Sequence, residues 1–160
     1  MNKFFKIIVI FYLLVGAVFA NDIEELFKNK LSVPMYFSRV PRGLIISIED
    51  KFFFDPGSEK INRNGILLLD ELALVINKID NDIVVESHCN EWYSSKHLYT
   101  ELWELSLAKA NNITKYLMRC NGVNPERIFS IGYGEISPSK NARDLNNRID
   151  FVILDYQTYR

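Results

Sequence analysis

The segment that most constrains the fold is the last regular stretch, residues 148–155 (RIDFVILD), because apolar side chains fall on both of its alternating faces. A strand that is apolar on both faces is typical of the interior of a sheet. Three earlier segments also have the character of strands: 43–49, 83–86 and 127–132. Two segments of helical periodicity, 63–78 and 101–121, lie between them. The order β-α-β-α-β-β therefore predicts an α+β or α/β sandwich, with helices packed on one sheet and the last strand at its centre.

Both predicted helices have recognisable ends. Asn62 is the expected N-cap of the first, whose apolar stripe comprises Leu68, Leu72, Val75, Ile76 and Ile79. Thr100 is the expected N-cap of the second, and Gly122 is its expected C-terminal stop.

The N-terminal residues 1–20 have the pattern of a secretory signal. Lys3 and Lys6 precede an uncharged apolar stretch of about 13 residues, and Val18-Phe19-Ala20 fits the small-x-small cleavage pattern. A membrane-spanning helix needs about 20 apolar residues, so we expect cleavage after Ala20 and not an uncleaved anchor. Residues 21–42 are then an N-terminal extension, with a short amphipathic helix over 22–31 and a linker over 32–42. A single domain is expected over 43–155, followed by a tail over 156–160.

The charge balance and the reactive residues exclude several classes of function. Removal of Lys3 and Lys6 leaves 17 basic and 20 acidic residues, a net charge of −3 that argues against a general nucleic-acid binder. His88 and Cys89 are adjacent on a predicted strand, so they point to opposite faces and cannot form a nucleophile–base pair. The sequence contains no phosphate loop and no Cys/His cluster with metal-ligand spacing. It therefore predicts no catalysis, no metal and no cofactor.

A paired signature lies in the second half of the chain. The segment 105–110 (LSLAKA) is followed about 22 residues later by 132–138 (GYGEISP), and the pair resembles LSxxRA and GYGExxP of the OmpA-like peptidoglycan-binding domain. Four further elements resemble family elements in the same order: FDPGS at 54–58, ESHCN at 86–90, WELS at 103–106 and NNRIDF at 146–151. WELS is similar to the motility-stator branch, the MotB-like proteins. The resemblance spans about 43–154 and implies two main helices on one four-stranded mixed sheet.

The resemblance also implies a ligand, the diaminopimelate of the cell wall. In that family an aspartate binds the ammonium of diaminopimelate and an arginine binds its carboxylate. Asn90 stands at the aspartate position and Lys109 at the arginine position. Asn90 can accept a hydrogen bond but carries no charge, and Lys109 keeps the charge but lacks the planar fork of arginine. Replacing the aspartate by asparagine should cost on the order of 1–2 kcal/mol, or roughly 5–30-fold in affinity, unless Glu91 restores part of the anion.

Asp55 and Arg148 are further candidates, because matching family positions lie at the same pocket. The alternatives are a turn-making role for Asp55 ahead of Pro56, and a structural ion pair for Arg148. Gly132 and Gly134 are expected to serve the backbone of a turn. The resemblance places Lys109 near Asn90, so Cys120, eleven residues further along the same helix, would lie roughly 16 Å from Cys89. That exceeds the reach of a disulfide, and two unpaired, mostly buried thiols are expected.

Two functions remain open from the sequence. Residues 1–20 contain no acidic residue of the kind that a stator's membrane helix needs for ion flow, which favours an exported domain that stands alone. The leading hypothesis is a periplasmic tether that binds peptidoglycan non-covalently, with envelope membrane proteins as further partners and the outer membrane as a further location. The alternative is a degenerate domain that has lost wall binding and serves as a protein-interaction module. The sequence does not indicate an oligomeric state.

Overall fold

The computed structural model describes residues 22–90, 99, 101–136 and 146–155 of the 160-residue chain. The described part holds one mixed five-stranded sheet, three α-helices and two short 3-10 helices. The α-helices are α1 (22–30), α2 (Arg63–Ile76) and α3 (Leu102–Asn121). The strands are β1 (Tyr36–Val40), β2 (Gly43–Glu49), β3 (Ile83–His88), β4 (Ile128–Gly134) and β5 (Arg148–Leu154), and the 3-10 helices are Asp50–Phe52 and Pro125–Arg127.

The last strand is at the centre of the sheet, as predicted. The strand order is β1-β2-β5-β3-β4, in which only β3 and β4 run parallel. All residues of β5 except the last are buried. One face of β5 is apolar and joins a single core cluster with all three helices through Ile149, Phe151 and Ile153. Its other face carries buried Arg148 and Asp150. The prediction that both faces are apolar was therefore wrong for this face.

Helix α2 matches its prediction closely. The side chain of Asn62 accepts a hydrogen bond from the Gly65 amide at 2.8 Å, which is the expected N-cap geometry. Each residue of the predicted apolar stripe is buried: Leu68, Leu72, Val75, Ile76 and Ile79. The helical period therefore located the core-facing side of α2 correctly.

Helix α3 begins at a different cap from the one predicted. Glu101 is the N-cap and forms a capping box with Glu104, in which each side chain accepts from the other residue's backbone amide. Thr100, the predicted cap, lies outside the described residues. Gly122 ends the helix in the left-handed conformation (φ 67°), as expected.

The segment expected to be a linker is part of the fold. Residues 36–40 form β1, which pairs antiparallel with β2 along its whole length, so the sheet has five strands where four were expected. Helix α1, which was predicted, buries Ile23 and Phe27 in the main core, and Leu31 directly after the helix is buried there as well. Strand β1 was missed because it lies at the sheet edge, where its side chains are only partly covered and no regular apolar alternation is needed.

Both cysteines are unpaired, as predicted. Cys89 is buried, but Cys120 is exposed, so the expectation that both are buried was wrong for Cys120. Cys120 lies in the last turn of α3, beyond the part of the helix that contacts the core. Among the described residues no helix is long and apolar enough to cross a membrane. The predicted signal at 1–20 and the tail at 156–160 lie outside those residues.

Candidate functional site

The two signature segments are joined physically at the start of α3. The hydroxyl of Ser106 accepts a hydrogen bond from the Gly134 amide at 2.8 Å and donates one to the Trp103 carbonyl at 3.0 Å. A Cβ atom on Gly132 would lie 2.3 Å from the backbone nitrogen of Leu107, so only glycine lets β4 approach α3 this closely. Gly132 therefore serves strand–helix packing and not a turn, which corrects that expectation. Gly134 does adopt positive φ (56°) at the end of β4.

Lys109 lies in a nearly closed site between α3, the end of β3 and the 3-10 helix after β2. Its Nζ donates to Asp50 Oδ2 at 2.7 Å and to Cys89 Sγ at 3.4 Å. The same ammonium lies 5.3 Å from the centre of the Phe54 ring, a cation–π distance. Only 3% of the Lys109 side chain is exposed, against 17% of Asp50. The partner Asp50 was not predicted, because it belongs to none of the family elements in the sequence.

The charge states of this site follow from burial and from the ion pair. Burial alone would lower the pKa of Lys109, but Cys89 and Asp50 outweigh it and raise that pKa above the ordinary lysine value. Burial raises the pKa of the Cys89 thiol, and the charge of Lys109 offsets only part of that shift. Burial thus favours the protonated thiol of Cys89, which lacks the thiolate that a nucleophile needs.

Asn90 lies beside this ion pair and is exposed. Its backbone amide donates to Asn147 Oδ1 at 2.9 Å, and the backbone oxygen of Asn147 accepts from the Asp50 amide at 3.1 Å. Asn147 thus connects the end of β3 to the residue that holds Lys109. The structure therefore brings Asn90 and Lys109 into one neighbourhood, with Asp50 and Asn147 as the connecting residues.

Asp55 lies at the edge of the same region and helps to make a turn. Its backbone oxygen accepts from the Ser58 amide at 3.0 Å, and its Oδ1 accepts from Asn62 Nδ2 at 3.4 Å. It directly follows Phe54, whose ring covers Lys109. Asp55 is exposed, so its carboxylate is accessible from solvent as well as placed by the turn.

Arg148 belongs to a separate group of buried charges, here called the sheet-face cluster: Glu86, His88, Arg148 and Asp150, with Arg42 and Tyr133 at its edge. Arg148 Nε donates to both oxygens of Asp150, at 3.1 and 3.0 Å. Arg42 binds Glu86 through two hydrogen bonds, at 2.6 and 2.8 Å. These side chains alternate with core residues along β3 and β5, so they occupy the sheet face opposite the main core. For Arg148 the structure shows the structural ion pair, which was the alternative reading.

Histidine completes the sheet-face cluster. His88 Nε2 lies 3.2 Å from Asp150 Oδ2, and the His88 ring stacks on Tyr133 with centroids 5.0 Å apart. Burial alone would raise the pKa of Asp150, but the hydrogen bond from His88 and the charge of Arg148 lower it below the ordinary value. Ligand atoms of Glu86, His88 and Asp150 lie within 4.8 Å of one another, a spacing that a metal ion could bridge. Each carboxylate is already paired with an arginine, so the charges balance without a cation and the cluster fits an ion-pair network better than a metal centre.

Several predicted residues lie outside the described part of the chain. These are Glu91 and the end of the second signature at 137–138, together with the intervening residues 92–98. Tyr99 is described, and it packs against the small cluster of Cys89, Leu102 and Leu105 next to Lys109.

Comparison with known proteins identifies the family. The sequence profile described as OmpA family matches residues 53–150. The chain is 30% identical over 135 residues to the uncharacterised protein YtxE of Bacillus subtilis and 28% identical over 142 residues to Motility protein B of the same organism. These alignments cover 81% and 84% of this chain but only 56% and 54% of the relatives, so the chain spans about half of their length.

Solved structures agree with the observed architecture. The cell wall anchor of the type VI secretion system from Pseudomonas aeruginosa superposes with a TM-score of 0.70 at 18% identity, covering 83% of this chain and 97% of that one. At that identity the likeness establishes the fold alone. The relative with a described role, Motility protein B, is a motility protein and not an enzyme, in agreement with the prediction that this chain is not an enzyme. With the family profile covering more than half of its residues, the chain belongs to the OmpA family.

Proposed function

We propose that this chain binds peptidoglycan non-covalently, through diaminopimelate, and acts as a tether or scaffold in the cell envelope. The observation that carries the proposal is the neighbourhood of Asn90 and Lys109, which are the positions that correspond to the ligand-binding pair of the family. The chain keeps a cation at one of these positions and a hydrogen-bond acceptor at the other. Membership of the OmpA family, in which this pair of positions binds diaminopimelate, supports the same ligand.

The location in the cell follows from the ligand. Peptidoglycan lies outside the cytoplasmic membrane, so a protein that binds it must be exported, and the pattern of residues 1–20 supplies a signal for export. We therefore place the mature domain in the periplasm, where envelope membrane proteins are available as further partners. Association with the outer membrane belongs to the same proposal.

Co-sedimentation with purified sacculi tests the proposal. The full chain should pellet with sacculi, and free meso-diaminopimelate should release it in a dose-dependent manner. A chain with Glu126→Gln, which neutralises an exposed carboxylate in the second 3-10 helix far from Asn90 in sequence, is the matched control and should pellet equally well. A folded protein that stays in the supernatant would contradict wall binding.

A second candidate is an interaction module that no longer binds the wall. Two observations favour it: Lys109 is almost completely covered, and α2 exposes Leu67 (59%) and Leu74 (53%), which lie seven residues apart on one helical face. A pull-down that recovers envelope proteins through this face, combined with no sacculus binding, would select this function.

A further inference from the structure

The arrangement around Lys109 differs from a simple ammonium–carboxylate receptor. Its ammonium, with three donors, meets the Asp50 carboxylate, the Cys89 sulfur and the face of the Phe54 ring. With 3% of its side chain exposed, Lys109 is nearly out of reach of a ligand. The cation that the sequence offers for a ligand carboxylate is thus already engaged by groups of the chain itself.

Asp50 is in the opposite situation. Its side chain is 17% exposed, and one of its oxygens accepts the hydrogen bond from Lys109. A carboxylate has room for about four hydrogen bonds, so Asp50 keeps acceptor capacity for a further donor. Asn147 accepts from the backbone amides of both Asp50 and Asn90, so Asp50 lies within one residue's reach of the position where the family's aspartate is replaced by asparagine.

We infer that Asp50 is the anion that receives the ligand's ammonium, and that Lys109 is a positioning residue that holds Asp50. The inference rests on the proposed function and specifies its chemistry. The ligand class is a wall stem peptide recognised by the amino group at the end of its third residue. The carboxylate beside that amino group distinguishes diaminopimelate from lysine. It contributes little to the affinity, because the buried ammonium of Lys109 cannot reach it.

Two soluble peptides that differ in that carboxylate test the inference: L-Ala-γ-D-Glu-meso-diaminopimelate and L-Ala-γ-D-Glu-L-Lys. Calorimetric titration of the full chain should give dissociation constants within about 3-fold of each other. A charge-assisted hydrogen bond from Lys109 to the carboxylate would instead make the diaminopimelate peptide roughly tenfold or more tighter. That preference would overturn the inference while leaving the proposed function intact.

Substitutions separate the two residues. Asp50→Asn should weaken binding of both peptides by roughly 5–30-fold, since it replaces a charged acceptor with a neutral one. The double variant Asp50→Asn/Lys109→Met, which leaves no unpaired charge, should show the same loss while its circular dichroism spectrum stays native. Lys109→Met alone should leave the ratio of the two dissociation constants unchanged.

The contrary results are distinct from one another. If Asp50→Asn binds both peptides as the unmodified chain does, or if Lys109→Met removes a preference for diaminopimelate, the inference is wrong. If the unmodified chain binds neither peptide and does not sediment with sacculi, the proposed function is wrong, and the inference that rests on it is wrong with it. Glu126→Gln again serves as the control and should match the unmodified chain with both peptides.

Discussion

Two groups of buried charges lie in this domain, and they are built differently. In the sheet-face cluster each carboxylate is held by two hydrogen bonds from an arginine, and the side chains of Glu86 and Asp150 are 2% and 5% exposed. In the Lys109 site a single lysine donor holds Asp50, which is 17% exposed. Arg42 binds both oxygens of Glu86 with two nitrogens of its planar fork, and Arg148 Nε donates to both oxygens of Asp150, whereas the ammonium of Lys109 donates to one oxygen of Asp50. The carboxylates of the first cluster are therefore closed to solvent and suited to a structural role, whereas the carboxylate of Asp50 is partly exposed.

The largest expected effect comes from breaking the sheet-face cluster. Arg148→Ala leaves Asp150 buried beside His88 without its cation, and loss of one partner of a buried ion pair costs about 3–5 kcal/mol. Urea denaturation should show that loss in the free energy of unfolding. The double variant Arg148→Met/Asp150→Asn, which removes both charges, should recover part of it. A change below about 1 kcal/mol in Arg148→Ala would mean that the cluster is not structural.

A smaller effect, on binding and not on stability, is expected at Asn90. Asn90→Asp adds a second anion beside Asp50, so affinity for sacculi should rise by roughly 5–30-fold, the difference between charged and neutral hydrogen bonds. Co-sedimentation at several salt concentrations measures it, and the gain should shrink as salt increases. Misfolding can mimic a loss of binding but not a gain. An unchanged affinity in the folded variant would remove Asn90 from the site.

The acid stability of the domain should also depend on the sheet-face cluster. The pKa of Asp150 is lower in the folded chain than its ordinary value of 3.8, so its ionised form stabilises the fold above that pH. This stabilisation should be lost as the pH falls below about 3.8 and through the lower folded pKa. Between pH 2 and 6, the midpoint temperature of thermal unfolding should change less with pH for Asp150→Asn than for the unmodified chain. Identical slopes would contradict this role.

The smallest effect concerns the burial of Lys109 and of Cys89, which contacts it. Cys89 is buried against the Lys109 ammonium while Cys120 is exposed, so a thiol reagent should label one cysteine in the native chain and both after unfolding. Mass spectrometry of the labelled peptides identifies which one reacts. Rapid native labelling of Cys89 would show that the site opens, and Lys109 would then be accessible to a ligand.

The sequence by itself determined the family, the order of most elements and the core-facing side of α2. The 3.6-residue period placed the stripe of α2 in the core, because burial on one face imposes that period directly. The motifs also placed Asn90 and Lys109 in one neighbourhood. Strand β1 was not predicted, since an edge strand needs little apolar alternation and is defined by its pairing with β2.

Only the tertiary structure decided what the charged residues do. Arg148 and Asp150 are two positions apart in one strand, yet their role depends on His88 and Glu86 from β3 and on Arg42, 44 positions before Glu86. Asp50 meets Lys109 across 59 positions of sequence, and no local pattern records that contact. Local sequence encodes periodicity and caps because these depend on neighbouring residues. The pairing of buried charges depends on distances between elements, which are fixed only when the sheet and helices pack.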